Sequence, residues 1–266
     1  MPRANRYQIP GQVWHITHRC HQREFLFKFA RDRKRWIWWL FEAKKRFGLT
    51  IFDYVVTSNH IHLLVQDDKG DAISKSLQLI AGRTAQEYNQ RKGRKGAYWE
   101  DRYHATAIDG GEHLLRCLIY IDMNMVRAGV VVHPSEWAEG GYNEIQSPQE
   151  RYRLIDRQRL VALSGLANDD ELKCVHKAWI DDAMLRENVR HADWSEAVAV
   201  GSSEFVEDMK GRLGFAGTGR KIEQKGEAHV LREPESAYNI DFEGKMDALR
   251  AENMVYFDVN AGESIC

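Results

Sequence analysis

Cysteine and proline are scarce in this chain, and long apolar runs are absent. Four cysteines, Cys20, Cys117, Cys174 and Cys266, are scattered over 266 residues with no CxxC pair. That spacing excludes a disulfide-stapled scaffold and a cysteine-type zinc site. With reduced thiols, and with an opening Met1-Pro2-Arg3-Ala4-Asn5-Arg6 that has charge but no apolar segment behind it, a cytoplasmic location is expected. Five prolines are too few for a linker-dominated chain. No stretch approaches the ~18 consecutive apolar residues that span a bilayer, so no membrane partner is expected. Aromatics are what the chain has in quantity: 8 Trp, 10 Tyr and 10 Phe in a sequence 43% hydrophobic and 29% charged. Such a composition buries a sizeable core and argues against disorder.

The net charge of -1 conceals an asymmetry. Residues 1–110 carry 20 Lys and Arg against 11 Asp and Glu, whereas residues 151–266 carry 16 against 22. A basic front half on a near-neutral chain points to a polyanion partner, with an acidic part behind it; an ordinary solvated surface would also account for it.

Periodicity supplies the elements. Val13 to Arg19 alternates as a strand. Asp32 to Phe47 reads as a helix closed by Gly48. Leu49 to Val56 and His60 to Val65 read as strands joined in a hairpin by Thr57-Ser58-Asn59. Ala72 to Arg91 reads as a helix, Tyr103 to Ile108 as a strand, and Glu112 to Arg127 as one helix ending at Ala128-Gly129. The order β-α-β-β-α-β-α predicts an α+β, ferredoxin-like antiparallel sheet with helices on one face. Pro134, Gly140-Gly141 and Pro148 mark a boundary, giving a domain over 1–145 and a mainly helical accessory region over 146–266. In that region Arg157 to Leu163, Asp169 to Ala183 and Glu204 to Leu213 read as helices, the last capped by Ser202 or Ser203, and 214–235 reads as loop.

Two patterns carry chemistry. In Asn59-His60-Ile61-His62-Leu63, alternation puts both imidazoles on one face of a strand, ~7 Å apart at ~3.3–3.4 Å per residue, able to converge on one divalent cation. The pair alone is unspecific, since two exposed histidines on a sheet face give the same pattern. In the helix around 114–127, Leu114, Leu118, Ile121 and Met125 form the packing stripe, while Arg116, Tyr120, Asn124 and Arg127 follow the same spacing on another face. A phenol, an amide oxygen and two guanidiniums suit a phosphodiester, as nucleophile, hard metal ligand and phosphate contacts. An amphipathic helix with a wet face is the plainer alternative. His15, His18, Cys20 and His21 are dense but lack zinc spacing, and alternation parts His15 from His18. His15 can instead sit beside the His60–His62 strand and support its ligands.

Taken together, Val13 to Arg19, Asn59-His60-Ile61-His62, Trp99-Glu100-Asp101-Arg102-Tyr103-His104 and Tyr120-Ile121-Asp122-Met123-Asn124-Met125-Val126-Arg127 resemble the HUH single-strand DNA endonucleases with one tyrosine. The resemblance is to the REP-associated tyrosine transposases and related insertion-sequence transposases, over roughly residues 1–145. It departs where the family often has Pro after the Asn and this chain has Met125, which leaves the expected helix unbroken there.

The resemblance implies that His60, His62 and Asn124 bind Mg²⁺ or Mn²⁺ and that Tyr120 is the nucleophile, giving a 5′-phosphotyrosine link and a free 3′-OH. A free phenol titrates near ~10, so activation by the metal or a water is implied. Tyr103 is the runner-up nucleophile, and Tyr88 fits surface or core. The implied substrate is single-stranded or hairpin DNA of REP type. Arg3 and Arg6 as a basic arm, Arg91, Lys92, Arg94 and Lys95 followed by Tyr98 and Trp99, and Arg19, Arg23 and Arg102 are the candidate contacts, together with Arg116 and Arg127. A hairpin-binding regulator that keeps the fold but does no chemistry, and a metal-dependent hydrolase of small substrates, are the other readings. A homodimer is compatible with all of them.

Overall fold

A computed structural model describes residues 9–186 and 192–233. Strand β1 (Val13–Arg19) leads through a short turn to helix α1 (Ala30–Phe47), which Gly48 closes in the left-handed conformation. The hairpin β2 (Thr50–Val56) and β3 (His60–Gln66), helix α2 (Ala72–Lys92), strand β4 (His104–Ile108) and helix α3 (Glu112–Asp122) follow. Each lies within two residues of its predicted start.

The expected single helix over 112–127 is in fact two. Met123 (φ -72, ψ -1) separates α3 from the one-turn α4 (Asn124–Arg127). The Arg127 guanidinium donates to the Tyr120 carbonyl at 2.5 Å, diverting a carbonyl that an unbroken helix would bond to the amide four residues on. The interruption therefore falls just before Asn124 and does not need a proline.

Beyond residue 141 come α5 (Tyr142–Gln146), α6 (Arg157–Ser164), α7 (Asp169–Leu185), α8 (Asp193–Glu196), β5 (Ala199–Gly201), α9 (Ser203–Arg212), β6 (Lys221–Lys225) and β7 (Ala228–Arg232). Ser202 caps α9 as expected, its hydroxyl accepting from the Phe205 amide. The predicted loop over 214–235 instead holds β6 and β7, joined by the two-residue turn Gly226-Glu227 with Gly226 at φ 61. Strand β6 is almost wholly exposed; an edge strand of that kind has no buried face to impose an apolar alternation on its sequence.

The seven strands run β2-β3-β1-β4-β5-β7-β6, antiparallel except for β4 against β5. Apart from Thr17 and Arg19 in β1 and the first residues of β2 and β3, these three strands are buried on both sides, so the expectation of helices on one face only is corrected. Ile16, Ile61 and Leu63 are fully buried on one face, while His15, His62 and Leu64 fill the other. The registers Arg19↔His60 and Thr17↔His62 in β1–β3, and Thr17↔His104 and His15↔Thr106 in β1–β4, line up one polar row across three strands.

A buried acid–imidazole group ties α3 to the later helices. Asp122 accepts from His176 Nε2 of α7 at 2.7 Å, and Gln146 of α5 meets His176 Nδ1 at 2.8 Å. Beside them Asp53 is fully buried, one carboxylate oxygen accepting from the Tyr54 amide. Burial above all, then the nearby Asp122, raises the Asp53 carboxyl well above its usual 3.8. The folded chain thus holds that proton more tightly than the unfolded chain, so the stability it contributes is complete below pH 3.8 and is lost as pH rises through the raised value. Asp53→Asn should remove this part of the pH dependence. Thermal melts between about pH 4 and pH 8 should fall less steeply in the variant than in the wild type, and equal slopes would refute it.

Candidate active site

The polar row on β1, β3 and β4 is covered by α3 and by the segment around α8. His60 and His62 lie on the same face, as alternation requires, with ring centroids 4.9 Å apart and edge to face. The connection before β3 orients the first ring. His60 Nδ1 is 2.7 Å from Asn59 Oδ1 and 2.9 Å from Thr57 Oγ1. An amide oxygen only accepts, so Nδ1 carries the proton and Nε2 the lone pair. Asn59 is itself held by its amide nitrogen on the Arg23 carbonyl at 3.2 Å.

His62, 3% exposed, lies between two partners. Its Nδ1 is 2.9 Å from His15 Nε2, and its Nε2 is 3.0 Å from Asn124 Nδ2. His15 is fully buried and its Nδ1 donates to the Trp194 carbonyl at 2.6 Å. Burial pushes the His15 imidazole down to about 4 and His62 well below its usual value, the neighbouring His60 adding to the second. Both rings are neutral at physiological pH, the state that ligates a cation.

Tyr120, 6% exposed, stands edge-on to both imidazoles, its ring centroid 5.8 Å from His62 and 5.9 Å from His15. Its hydroxyl donates to Ser195 Oγ at 3.4 Å, because that serine spends its own proton on the Ala192 carbonyl. The Arg127 guanidinium lies 4.4 Å from the Tyr120 ring centre. One chain therefore brings His60, His62, Tyr120, Asn124 and Arg127 together. Tyr103, the runner-up nucleophile, stands edge-on to His18 at 6.4 Å, on the opposite side of β1 from His15.

The residues present fit a divalent cation. Among the described residues no group of three His, Cys, Asp or Glu side chains could hold a metal; beside the two imidazoles stands the carboxamide of Asn124, 3.0 Å from His62 Nε2. The amide presents its nitrogen to His62 Nε2, and a half-turn about its last bond presents oxygen instead. Two imidazoles and an amide oxygen suit Mn²⁺ better than Mg²⁺, whose preference is for oxygen alone.

The predicted DNA contacts are placed unevenly. Arg3 and Arg6 lie outside the described residues. Arg19 is exposed beside His60, and Arg23, Lys92, Lys95 and Arg102 are exposed. Arg91 pairs with Asp32, Arg94 with Glu24, and Arg116 with Glu112 and Glu227. Tyr98 is 2% exposed and has no face to offer a base. Trp99 is packed as well: His18 stacks on it at 4.0 Å and its indole N–H donates to the Ala81 carbonyl. Among exposed aromatics, Trp38 at 40% and Tyr152 at 73% lie elsewhere, while Phe25 at 66% and Phe29 at 55% lie on the loop before α1. Their signal was the alternation Phe25, Phe27, Phe29, in which Phe27 turns inward and the other two outward. The loop carrying them is bound to the start of β3 by the Phe27 amide on the Ser58 carbonyl, and Gln22 and Arg23 within it have φ 50 and 58, a conformation that side-chain-bearing residues adopt at a cost of about 1–3 kcal/mol.

The family model described as "Transposase IS200 like" matches residues 9–124. The matched segment takes in His60, His62, Tyr120 and Asn124. No curated protein matches the chain. Among solved structures it is similar to a REP-associated tyrosine transposase bound to a REP hairpin, at 22% identity over 64% of this chain and 90% of that one, with a TM-score of 0.45. It is also similar to a Deinococcus radiodurans R1 protein described as a transposase, at 14% identity over 49% of this chain and 92% of that one, with a TM-score of 0.32. Among the described residues no helix is long and apolar enough to cross a membrane.

Proposed function

We propose that the chain is a tyrosine-nucleophile DNA nicking and strand-joining enzyme acting on single-stranded or hairpin DNA of REP type in the cytoplasm, with its nicking core in residues 1–145. The observation that carries this reading is the convergence, within one chain, of Tyr120 on the His60–His62 pair with Asn124 at 3.0 Å from His62. A protein that only gripped hairpins would need neither the buried phenol nor the oriented imidazoles.

His60, His62 and Asn124 would hold Mg²⁺ or Mn²⁺. When bound, the cation would draw charge from a non-bridging oxygen of the scissile phosphate. Arg127 sets positive charge beside the attacking group, and Arg19, exposed next to His60, is placed to meet the flanking phosphate. The Tyr120 oxygen attacks phosphorus as its proton leaves to water. The P–O3′ bond breaks, the departing 3′ oxygen takes up a proton, and a 5′-phosphotyrosine ester remains. Because the ester keeps the phosphodiester energy, attack by another 3′-OH reverses the step and joins strands without a nucleotide cofactor. Phe25 and Phe29 offer stacking faces for unpaired bases, with Arg23, Lys92 and Lys95 for their phosphates.

The test uses the full chain with Mn²⁺ and labelled hairpin DNA. The tryptic peptide Cys117–Arg127 contains a single tyrosine, Tyr120. Mass spectrometry should find a nucleotide phosphate on that peptide. Modification of the peptide containing Tyr103, or no covalent adduct at all, overturns the assignment.

A further inference from the structure

We propose that His15 is a positioning residue for the metal site: it accepts the Nδ1 proton of His62, so that His62 keeps its lone pair on Nε2, and the Trp194 carbonyl fixes His15 in the one tautomer able to do so. This rests on the reading of His62 as a metal ligand. The proton arrangement follows from three contacts taken in order. A carbonyl oxygen can only accept, so the 2.6 Å contact to Trp194 puts the His15 proton on Nδ1. The neutral ring then has its lone pair on Nε2, and the 2.9 Å contact from there to His62 Nδ1 needs a proton on the His62 side. His62 Nε2 is left with a lone pair, and at 3.0 Å from it stands the amide nitrogen of Asn124, a donor. The opposite tautomer of His62 would set two lone pairs against each other at His15.

Water cannot substitute for these contacts, since His15 is 0% exposed and His62 3%. The two ligands therefore reach the same protonation state by different routes. His60 is set locally by Asn59 and Thr57. His62 is set from 47 and then 179 residues away, the last contact coming from outside the segment matched by the transposase family. The Trp194 carbonyl is held in turn by its surroundings: Lys225 and Arg232 grip Asp193, and the Ala197 carbonyl accepts from His104 Nε2 and Thr106 Oγ1 on β4. The accessory region in this view supplies part of the metal site, by way of a backbone oxygen.

Two measurements test it on the full chain. Long-range ¹H–¹⁵N spectra of the ¹⁵N-histidine-labelled, metal-free protein should assign His62 and His15 as Nδ1–H tautomers; His62 protonated on Nε2 would overturn the proposal whatever the metal does. Mn²⁺ titration followed by electron paramagnetic resonance should show His15→Ala binding about 10- to 100-fold more weakly than wild type, the cost of losing a group that orients a ligand. His15→Gln, whose amide oxygen can accept the same proton, should recover most of that loss. Equal Mn²⁺ affinity in wild type and His15→Ala would overturn the proposal. Should the wild type bind no Mn²⁺, the metal reading fails and the tautomer spectrum alone decides the relay. The same spectrum decides if His15→Ala does not fold.

Discussion

Replacing Tyr120 by phenylalanine is expected to eliminate both the covalent protein–DNA adduct and strand cleavage, while hairpin binding stays near the wild-type level. The substitution removes one oxygen and keeps a ring that packs edge-on to His15 and His62 and under the Arg127 guanidinium. The hydroxyl's hydrogen bond to Ser195 is long at 3.4 Å, so its loss costs about 1 kcal/mol or less of stability. A folding defect therefore cannot stand in for the chemical one. Removal of a covalent nucleophile leaves only the residual catalysis of the remaining groups, a loss on the order of 10⁴-fold or more. Gel-resolved cleavage of labelled hairpin DNA with Mn²⁺ measures it. A Tyr120→Phe variant that still forms the adduct would move the nucleophile to another residue.

The order of the first seven elements was legible because the strands and helices of residues 13–127 carry strong period-2 and period-3.6 patterns, and the core they form imposes them. The same-face placement of His60 and His62 followed from the pleat alone. The contact of His62 with Asn124 was legible from helical spacing combined with the family resemblance. Three features were not legible, each for its own physical reason. The break at Met123 depends on a side chain, Arg127, taking a backbone carbonyl, and no local propensity records that. The β6–β7 hairpin sits at the sheet edge, where β6 is almost wholly solvated and its sequence reads as loop. The contacts of Trp194 and Ser195 with His15 and Tyr120 join residues 179 and 75 positions apart; a backbone carbonyl, moreover, leaves no mark on residue type. Trp99 reads as an open stacking platform, whereas His18 stacks on one of its faces; the reason is related. An aromatic beside a basic loop looks the same in sequence whether its face is open, as at Phe25, or covered by a neighbouring ring, as His18 covers Trp99.

His60→Ala separates the nicking enzyme from the silent hairpin binder more cleanly than the equivalent change at His62. His62 is 3% exposed and wedged between His15 and Asn124, so truncating it opens a buried gap and strands two polar partners, with a stability cost of a few kcal/mol. His60 is half-buried at the start of its strand and bonded to Thr57 and Asn59 in the adjoining turn, and its loss should cost about 1 kcal/mol or less. Loss of one of two imidazole ligands should nonetheless lower cleavage by about 10³-fold, equal to about 4 kcal/mol in the transition state. Hairpin affinity, which the proposed function assigns to phosphate and stacking contacts elsewhere on the surface, should change by less than about 3-fold, and should keep its steep dependence on salt. Measuring cleavage and binding on one preparation decides the matter. If cleavage falls while binding holds, the imidazole pair serves the reaction. If both fall together, the pair grips DNA, and the chain acts as a hairpin binder without chemistry.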